Sequence, residues 1–145
     1  MNVFLDTNVL VAASVESHPH HQQAWSVLQR VTAGRDRGFI SAHSLAETYA
    51  ALTRMPIIPR IHPMEAVRIV ADNLMPNFEV LPLRTSDYVQ ALQMVAGGGW
   101  SGARIYDALL ICCARRCDPE RIYTFNLADF RQLATTEMRP RILAP

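Results

Sequence analysis

Asp6, Glu47, Asp107 and the pair Asn126 and Asp129 are oxygen-bearing side chains scattered along a chain of 145 residues. Each stands near the end of a strand-like stretch or on a helix-like one, so a single fold could gather them. Asp6 is the most telling. It follows Asn2-Val3-Phe4-Leu5, a short apolar run that reads as a strand, and it leads into Thr7-Asn8. In an open α/β sheet, ligands bind in the crevice outside the carboxyl ends of the strands. A carboxylate just past the first strand is therefore placed for chemistry. Several carboxylates gathered there would repel one another unless a cation sat between them. Hard oxygen donors without a thiolate or imidazole framework suit Mg²⁺ or Mn²⁺.

Each of these residues also has a purely structural explanation. Asp6 could cap a helix that begins near Val9, while Thr7 and Asn8 could instead fix its rotamer. Glu47 lies in an apolar helical stretch and stands three residues after Ser44, the spacing of a capping box. Asp107 shares one helix face with Leu110, Ile111 and Ala114, a face that should be buried. A buried, unpaired carboxylate is costly or becomes neutral. A metal ion, a position on a cleft rim, or a salt bridge to Arg104 or Arg115 would each resolve that conflict. Asn126 stands at the carboxyl end of another strand, level with Asp6 if the sheet is parallel, and Asp129 lies one helical turn further on. These two could equally be an N-cap and a first-turn charge. Thr124 is placed to hydrogen-bond one of the acidic groups.

The elements that must position these groups alternate. Strands are expected at Asn2 to Leu5, Phe39 to Ser41, Phe78 to Leu81 and Arg121 to Thr124, with an edge strand at Arg141 to Leu143. Helices are expected at Val9 to Ser14, His20 to Thr32, Leu45 to Arg54, Pro63 to Leu74, Asp87 to Ala96, Ile105 to Cys117 and Leu127 to Ala134. Gly34 to Gly38 reads as a polar turn, with Ser44 and Thr85 as N-caps. Strands separated by helices imply an α/β fold, a parallel sheet joined by right-handed crossovers.

Half the residues are apolar and 19% are charged, an ordinary globular balance that fits one domain over residues 1–145. The net charge of +1 votes neither for nor against a polyanionic partner. Cys112, Cys113 and Cys117 are an odd, clustered set, better read as small helix residues in a reducing cytoplasm than as a disulfide framework. His18-Pro19-His20-His21 reads as an exposed helix start rather than a metal site. No long apolar run suggests a membrane span.

Taken in order, strand-Asp6-Thr7-Asn8, Ser41-(x)5-Glu47, Asp107-Ala108-Leu109 and strand-Thr124-Phe125-Asn126-(x)2-Asp129-Phe130 resemble the PIN-domain family. Length and spacing are similar to those of the toxin ribonucleases of bacterial VapBC toxin–antitoxin pairs. The resemblance runs from Val3 to about Leu143. It implies a three-layer fold with a central parallel sheet of four to five short strands flanked by helices. It implies metal-binding carboxylates at Asp6, Glu47 and Asp107, and it puts the family's fourth acidic position on Asn126, with Asp129 a source of the missing charge. The implied activity is Mg²⁺- or Mn²⁺-dependent endoribonuclease cleavage that leaves a 3′-hydroxyl and a 5′-phosphate. Thr7, Asn8 and Thr124 would support the ligands. The implied partners are a VapB-type antitoxin, whose tail enters the acidic cleft, and a second copy of the chain.

RNA would be held at the cleft rim, with Arg35, Arg37, Arg54, Arg60 and Arg104 as candidate contacts and Trp100 as a stacking platform. Gly97 to Gly102 would be either a flap over the site or a helix stop. Met55 to Pro59, the helix Met64 to Met75, Trp25 and Leu28 offer apolar surface suited to a protein interface. Haloacid-dehalogenase-type phosphatases and phosphate-receiver domains also place an Asp after the first strand, but both need a lysine, and this chain has none. Two alternatives remain open: a catalytically silent PIN module that binds RNA or a protein, and an RNA-processing PIN nuclease without an antitoxin.

Overall fold

The computed structural model describes residues 1–145 and contains five parallel strands in the spatial order β3-β2-β1-β4-β5. They are β1 (Asn2–Leu5), β2 (Arg37–Ser41), β3 (Phe78–Leu81), β4 (Arg121–Tyr123) and β5 (Ile142–Leu143). The helices are α1 (Thr7–Ser14), α2 (His21–Thr32), α3 (Ala42–Arg54), α4 (Pro63–Arg68), α5 (Thr85–Gly97), α6 (Arg104–Arg115) and α7 (Leu127–Leu133). No helix is long and apolar enough to cross a membrane.

Both faces of β1 are covered, as its apolar sequence requires of a central parallel strand. Phe4 joins a cluster with Ile122 of β4 and with Ala108, Leu109, Ile111 and Phe130 from the α5–α7 layer. Val3 and Leu5 point the other way, into a cluster with Val9, Leu10, Ala24, Leu28 and Leu74 from the α1, α2 and α4 side. A smaller cluster of Val11, Val15, Leu52 and Ala66 ties α1, α3 and α4 together. The result is three layers, with β1 pairing β2 on one edge and β4 on the other. The chain first builds β2 and β3 to one side of β1 and then crosses to β4 and β5 on the other. That reversal beside β1 leaves a crevice at the carboxyl ends, immediately beyond Leu5.

Several boundaries differ from the sequence expectation, each for a local reason. β2 begins at Arg37, not Phe39, and Gly38 is a strand residue rather than part of a turn. A Cβ there would run into the rings and methyls of Phe78 and Val31, so only glycine lets β3 and α2 approach this closely. The N-cap of α3 is Ser41, whose Oγ accepts from the His43 amide at 3.1 Å. Ser44 therefore lies inside the helix, fully buried, and makes no capping box with Glu47. Arg84, not Thr85, is the N-cap of α5, and its amide donates to Asp87 Oδ2 at 2.8 Å. The helix from Pro63 loosens after Arg68 into a π-turn over Ile69–Leu74, closed by the Met75 amide on Val70 O at 3.0 Å.

Candidate active site

Asp6 occupies the N-cap position of α1, yet its carboxylate makes no capping bond. It is buried, and its Oδ2 accepts a 2.7 Å hydrogen bond from Thr124 Oγ1 across the β1–β4 edge. The same Thr124 oxygen accepts from the Asn126 amide at 2.9 Å and from Asn8 Nδ2 at 3.4 Å. Asn8 Oδ1 in turn accepts from the Phe125 amide at 3.2 Å. Thr124 thus has its proton committed to Asp6 and its lone pairs committed to donors, which fixes the carboxylate's orientation.

Glu47 comes from the second turn of α3. Thr7 Oγ1 lies 3.2 Å from Glu47 Oε1 and 3.0 Å from Ser44 Oγ. One hydroxyl proton serves one acceptor at a time, and the carboxylate is the stronger. His43 Nε2 lies 3.7 Å from the same Glu47 oxygen, one helical turn earlier. Asp107 sits in the first turn of α6 and accepts from Asn126 Nδ2 at 3.1 Å. Neither Arg104 nor Arg115 pairs with it. Arg104 instead reaches Asp129, 2.8 Å away, and Gln132 at 2.9 Å.

Asp6, Glu47, Asp107 and Asn126 line one cavity of about 390 Å³, together with Thr7, Asn8, Val11, His18, Ala50, Ala51 and Arg54. Burial pushes the Asp6 carboxyl up to about 7; the Thr124 hydrogen bond opposes the rise, and the charges of Asp107 and Glu47 add to it. Burial, then the charge of Asp129, pushes Asp107 up to about 6, against the pull of Arg104. These carboxylates are thus held in an environment that penalises their own charge. A cation would relieve that penalty, and the all-oxygen donor set suits a hard one. The carboxylates do not by themselves close into a three-ligand clasp: no group of three or more His, Cys, Asp or Glu side chains stands ready to hold a metal ion.

The remaining sequence candidates divide sharply. Asp129 faces Arg104 and does not line the cavity. Arg54 does line it. Arg35 and Arg37 sit at the amino end of the sheet, where Arg37 is in register with Asn2 and pairs with Glu79 at 2.6 Å; they lie on the far side from the acidic crevice. Arg60 is an exposed residue of the segment between α3 and α4, away from the cavity lining. Gly97 to Gly99 act as a helix stop: the Gly98 and Trp100 amides donate back to Met94 O and Val95 O. Trp100 packs against the α5–α7 cluster, and the Arg104 guanidinium covers its ring at 5.7 Å. Leu28 is core rather than interface, whereas Trp25 is 43% exposed. The three cysteines are free, and burial pushes their thiols up, Cys117 to about 12, so none is a nucleophile.

Sequence reasoning missed His18, read as part of an exposed helix start, and Ser44, read as a cap. Each had a signal. Ser44 precedes Glu47 by one turn on the same helix face, and His18 continues the α1 stripe of Asn8 and Val11 beyond the helix end.

The profile of the PIN domain family matches residues 3–135. Ribonuclease VapC40 of Mycobacterium tuberculosis is 33% identical over 105 residues, 72% of this chain and 72% of that protein. Ribonuclease VapC27 of the same species is 29% identical over 113 residues, 76% of this chain and 74% of that one. Among solved structures, the Mycobacterium tuberculosis toxin VapC20, described as cleaving the sarcin–ricin loop, superposes with a TM-score of 0.71 at 22% identity, over 93% of this chain and 97% of that one. VapBC2 of Rickettsia felis, bound to a promoter DNA fragment, gives 0.61 at 17% identity, over 100% and 98%. With its acidic cavity at the switch point of a five-stranded parallel sheet, and with a profile match over most of its length, this chain belongs to the PIN-domain family.

Proposed function

We propose that this chain is the endoribonuclease toxin of a VapBC-type toxin–antitoxin pair and that it cuts RNA with the help of Mg²⁺ or Mn²⁺. One observation carries the reading: Asp6 from the end of β1, Glu47 from α3 and Asp107 from α6 reach a single cavity at the carboxyl edge of the sheet. The names of the similar ribonucleases and of the toxin–antitoxin complexes support the same activity and the same kind of partner.

Asp6, Asp107 and Glu47 would hold the ion, and Mg²⁺ retains several waters, so it does not need three protein carboxylates at bonding distance. Bound there, the ion would supply an activated water at neutral pH and a counter-charge for the phosphodiester. The chain's own residues supply the rest. Thr124 and Asn8 hold the Asp6 carboxylate in one orientation. Thr7 holds Glu47, and Asn126 holds Asp107. Asn126 donates to Asp107 as a neutral amide, so the site carries one carboxylate fewer than a four-acid centre and favours fewer bound cations. Asp129 acts through its charge on Asp107 and its grip on Arg104.

The free cysteines suit a reducing cytoplasm. The exposed Ile58, Met64, Val67 and Met75, with Trp25, suit contact with a second copy, which sedimentation would reveal as a dimer. The function is tested by sequencing RNA 5′ ends after induced expression of wild type and of Asp6→Asn. New 5′ ends at defined positions in wild type alone are expected, and purified protein should reproduce them with Mg²⁺ or Mn²⁺ but not with EDTA. Identical 5′ ends in the two strains would refute the proposal.

A further inference from the structure

Glu47, Ala50, Ala51 and Arg54 fall at i, i+3, i+4 and i+7 of α3, which is one helix face, and all four line the acidic cavity. Asn8 and Val11 of α1, with His18 just beyond it, line the facing wall. The cavity therefore leaves the carboxylates as a groove between α1 and α3. Seven helical residues span about 10 Å, which separates Arg54 from Glu47 along the helix axis. Along α3 the groove is graded from the Glu47 carboxylate past Ala50 and Ala51 to the Arg54 guanidinium, and the other wall carries Val11 and the His18 imidazole.

Both distal groups are donors without an acceptor. Arg54 takes part in none of the ion pairs of the chain. His18 Nδ1 accepts from the His20 amide at 3.1 Å. A neutral imidazole whose Nδ1 is an acceptor carries its proton on Nε2, so its second nitrogen offers an N–H. Burial, with the nearby imidazoles of His20 and His21, lowers the His18 pKa and favours that neutral form. Arg54, about two helical turns along α3 from Glu47, and His18, which lines the same cavity, are donors placed for a second phosphate of the strand whose cleavage the carboxylates would support.

We propose that Arg54 and His18 form a subsite for the RNA phosphate neighbouring the scissile one, with the intervening nucleoside lying along Val11, Ala50 and Ala51. The proposal rests on the ribonuclease reading above. Arg54 contributes charge and a forked donor; His18 contributes a hydrogen bond without charge. The two contributions differ in their response to salt. Neutralising one phosphate on a single strand contributes about 0.7 to the slope of log K against log salt concentration.

The test uses the full chain carrying Asp6→Asn and a fluorescein-labelled, mixed-sequence single-stranded RNA, followed by anisotropy across a salt series. Adding Arg54→Ala should weaken binding about ten-fold and lower the slope by about 0.7. Adding His18→Ala should weaken binding several-fold at an unchanged slope, and His18→Gln, which keeps an N–H donor, should restore most of the loss. Thermal melts establish that each variant is folded. Unchanged affinity and slope in the folded Arg54 and His18 variants would overturn the subsite while leaving wild-type cleavage intact. A fall in slope with His18→Ala would overturn its role as a neutral donor. Arg54-dependent binding by a wild type that cuts no RNA would keep the subsite and overturn the ribonuclease reading. Absence of any RNA binding by the Asp6→Asn protein would overturn the subsite.

Discussion

Asp6 and Asp36 are almost equally buried, 6% and 5% exposed, at opposite ends of the same sheet, and their carboxyls are driven in opposite directions. Asp36 sits just before β2. It accepts from Arg30 Nε at 2.6 Å and Nη2 at 3.2 Å, and lies 3.4 Å from the amino terminus. The Arg30 hydrogen bond holds its pKa below the ordinary carboxylate value. Asp6 has a neutral hydroxyl as its closest partner and two other carboxyls as neighbours, and burial pushes it up to about 7. Burial alone does not make a carboxylate functional. Asp36 is supplied with cations by the fold and only stabilises it, while Asp6 is left short of positive charge in an open cavity.

This contrast can be broken most directly through activity. Asp6→Asn and Asp107→Asn should each lower RNA cleavage by at least ~100-fold, the scale of losing a group that acts at the reacting centre, whereas Asp36→Asn should cleave normally when assayed below its melting temperature. A variant at position 6 with wild-type turnover would erase the distinction.

Stability should then separate the two in opposite senses. For Asp6 the folded pKa exceeds the unfolded one, so the native state binds the extra proton. Its favourable contribution is present below about pH 4 and is lost as pH rises through about 7. Without metal, Asp6→Asn should therefore be more stable than wild type at pH 8, by on the order of 2–4 kcal/mol at most, and nearly equal at pH 4. Millimolar Mg²⁺ or Mn²⁺ should raise the melting temperature of wild type at pH 8 but not that of Asp6→Asn. Equal melting curves for both proteins at pH 8, with and without metal, would remove the reason for placing a cation there.

For Asp36 the sign reverses. Its folded pKa is depressed, so its contribution is present above the ordinary carboxylate value and is lost as pH falls through the folded one. Asp36→Asn should cost about 1–2 kcal/mol near neutral pH, reduced from a fully buried pair because Arg30 is 44% exposed. Urea unfolding at pH 7 and pH 3 should show the gap closing at the lower pH. The smallest effect belongs to Asp129, which touches Arg104 rather than the cavity. Asp129→Asn should lower cleavage only a few-fold, and a loss as large as that at Asp6 would place it among the metal-holding groups.

Much of the fold was legible because parallel strands announce themselves as short apolar runs and their crossover helices as periodic ones. β1, β3 and β4 fell where Val3-Phe4-Leu5, Phe78 to Leu81 and Ile122-Tyr123 indicated. β2 was read too short because Gly38 looks like a turn until Phe78 and Val31 are seen packed against it. Ser44 was misread because Ser-x-x-Glu spacing suits both a cap and a buried hydroxyl facing Thr7. Asp107 stood out as charge on an apolar helix face and Asp6 by its place after the first strand, the family resemblance joined Glu47 to them, and the fold brings the three to one cavity. Arg54 stood among the candidate RNA contacts, but nothing local separated it from Arg35, Arg37 and Arg60, which do not line the cavity; His18 was read as part of an exposed helix start.

The sequence by itself determined the succession of strands and helices, because periodicity is a property of the chain, and it carried the motifs by which the chain resembles the PIN-domain family. Only the tertiary structure decided which charges meet. Arg104 turned to Asp129 instead of Asp107, Arg35 and Arg37 went to the far end of the sheet, and Arg54 and His18 came to line the same cavity as the carboxylates. Pairing energies depend on distance and burial in three dimensions, and two residues distant in sequence acquire both only when the strands take their order.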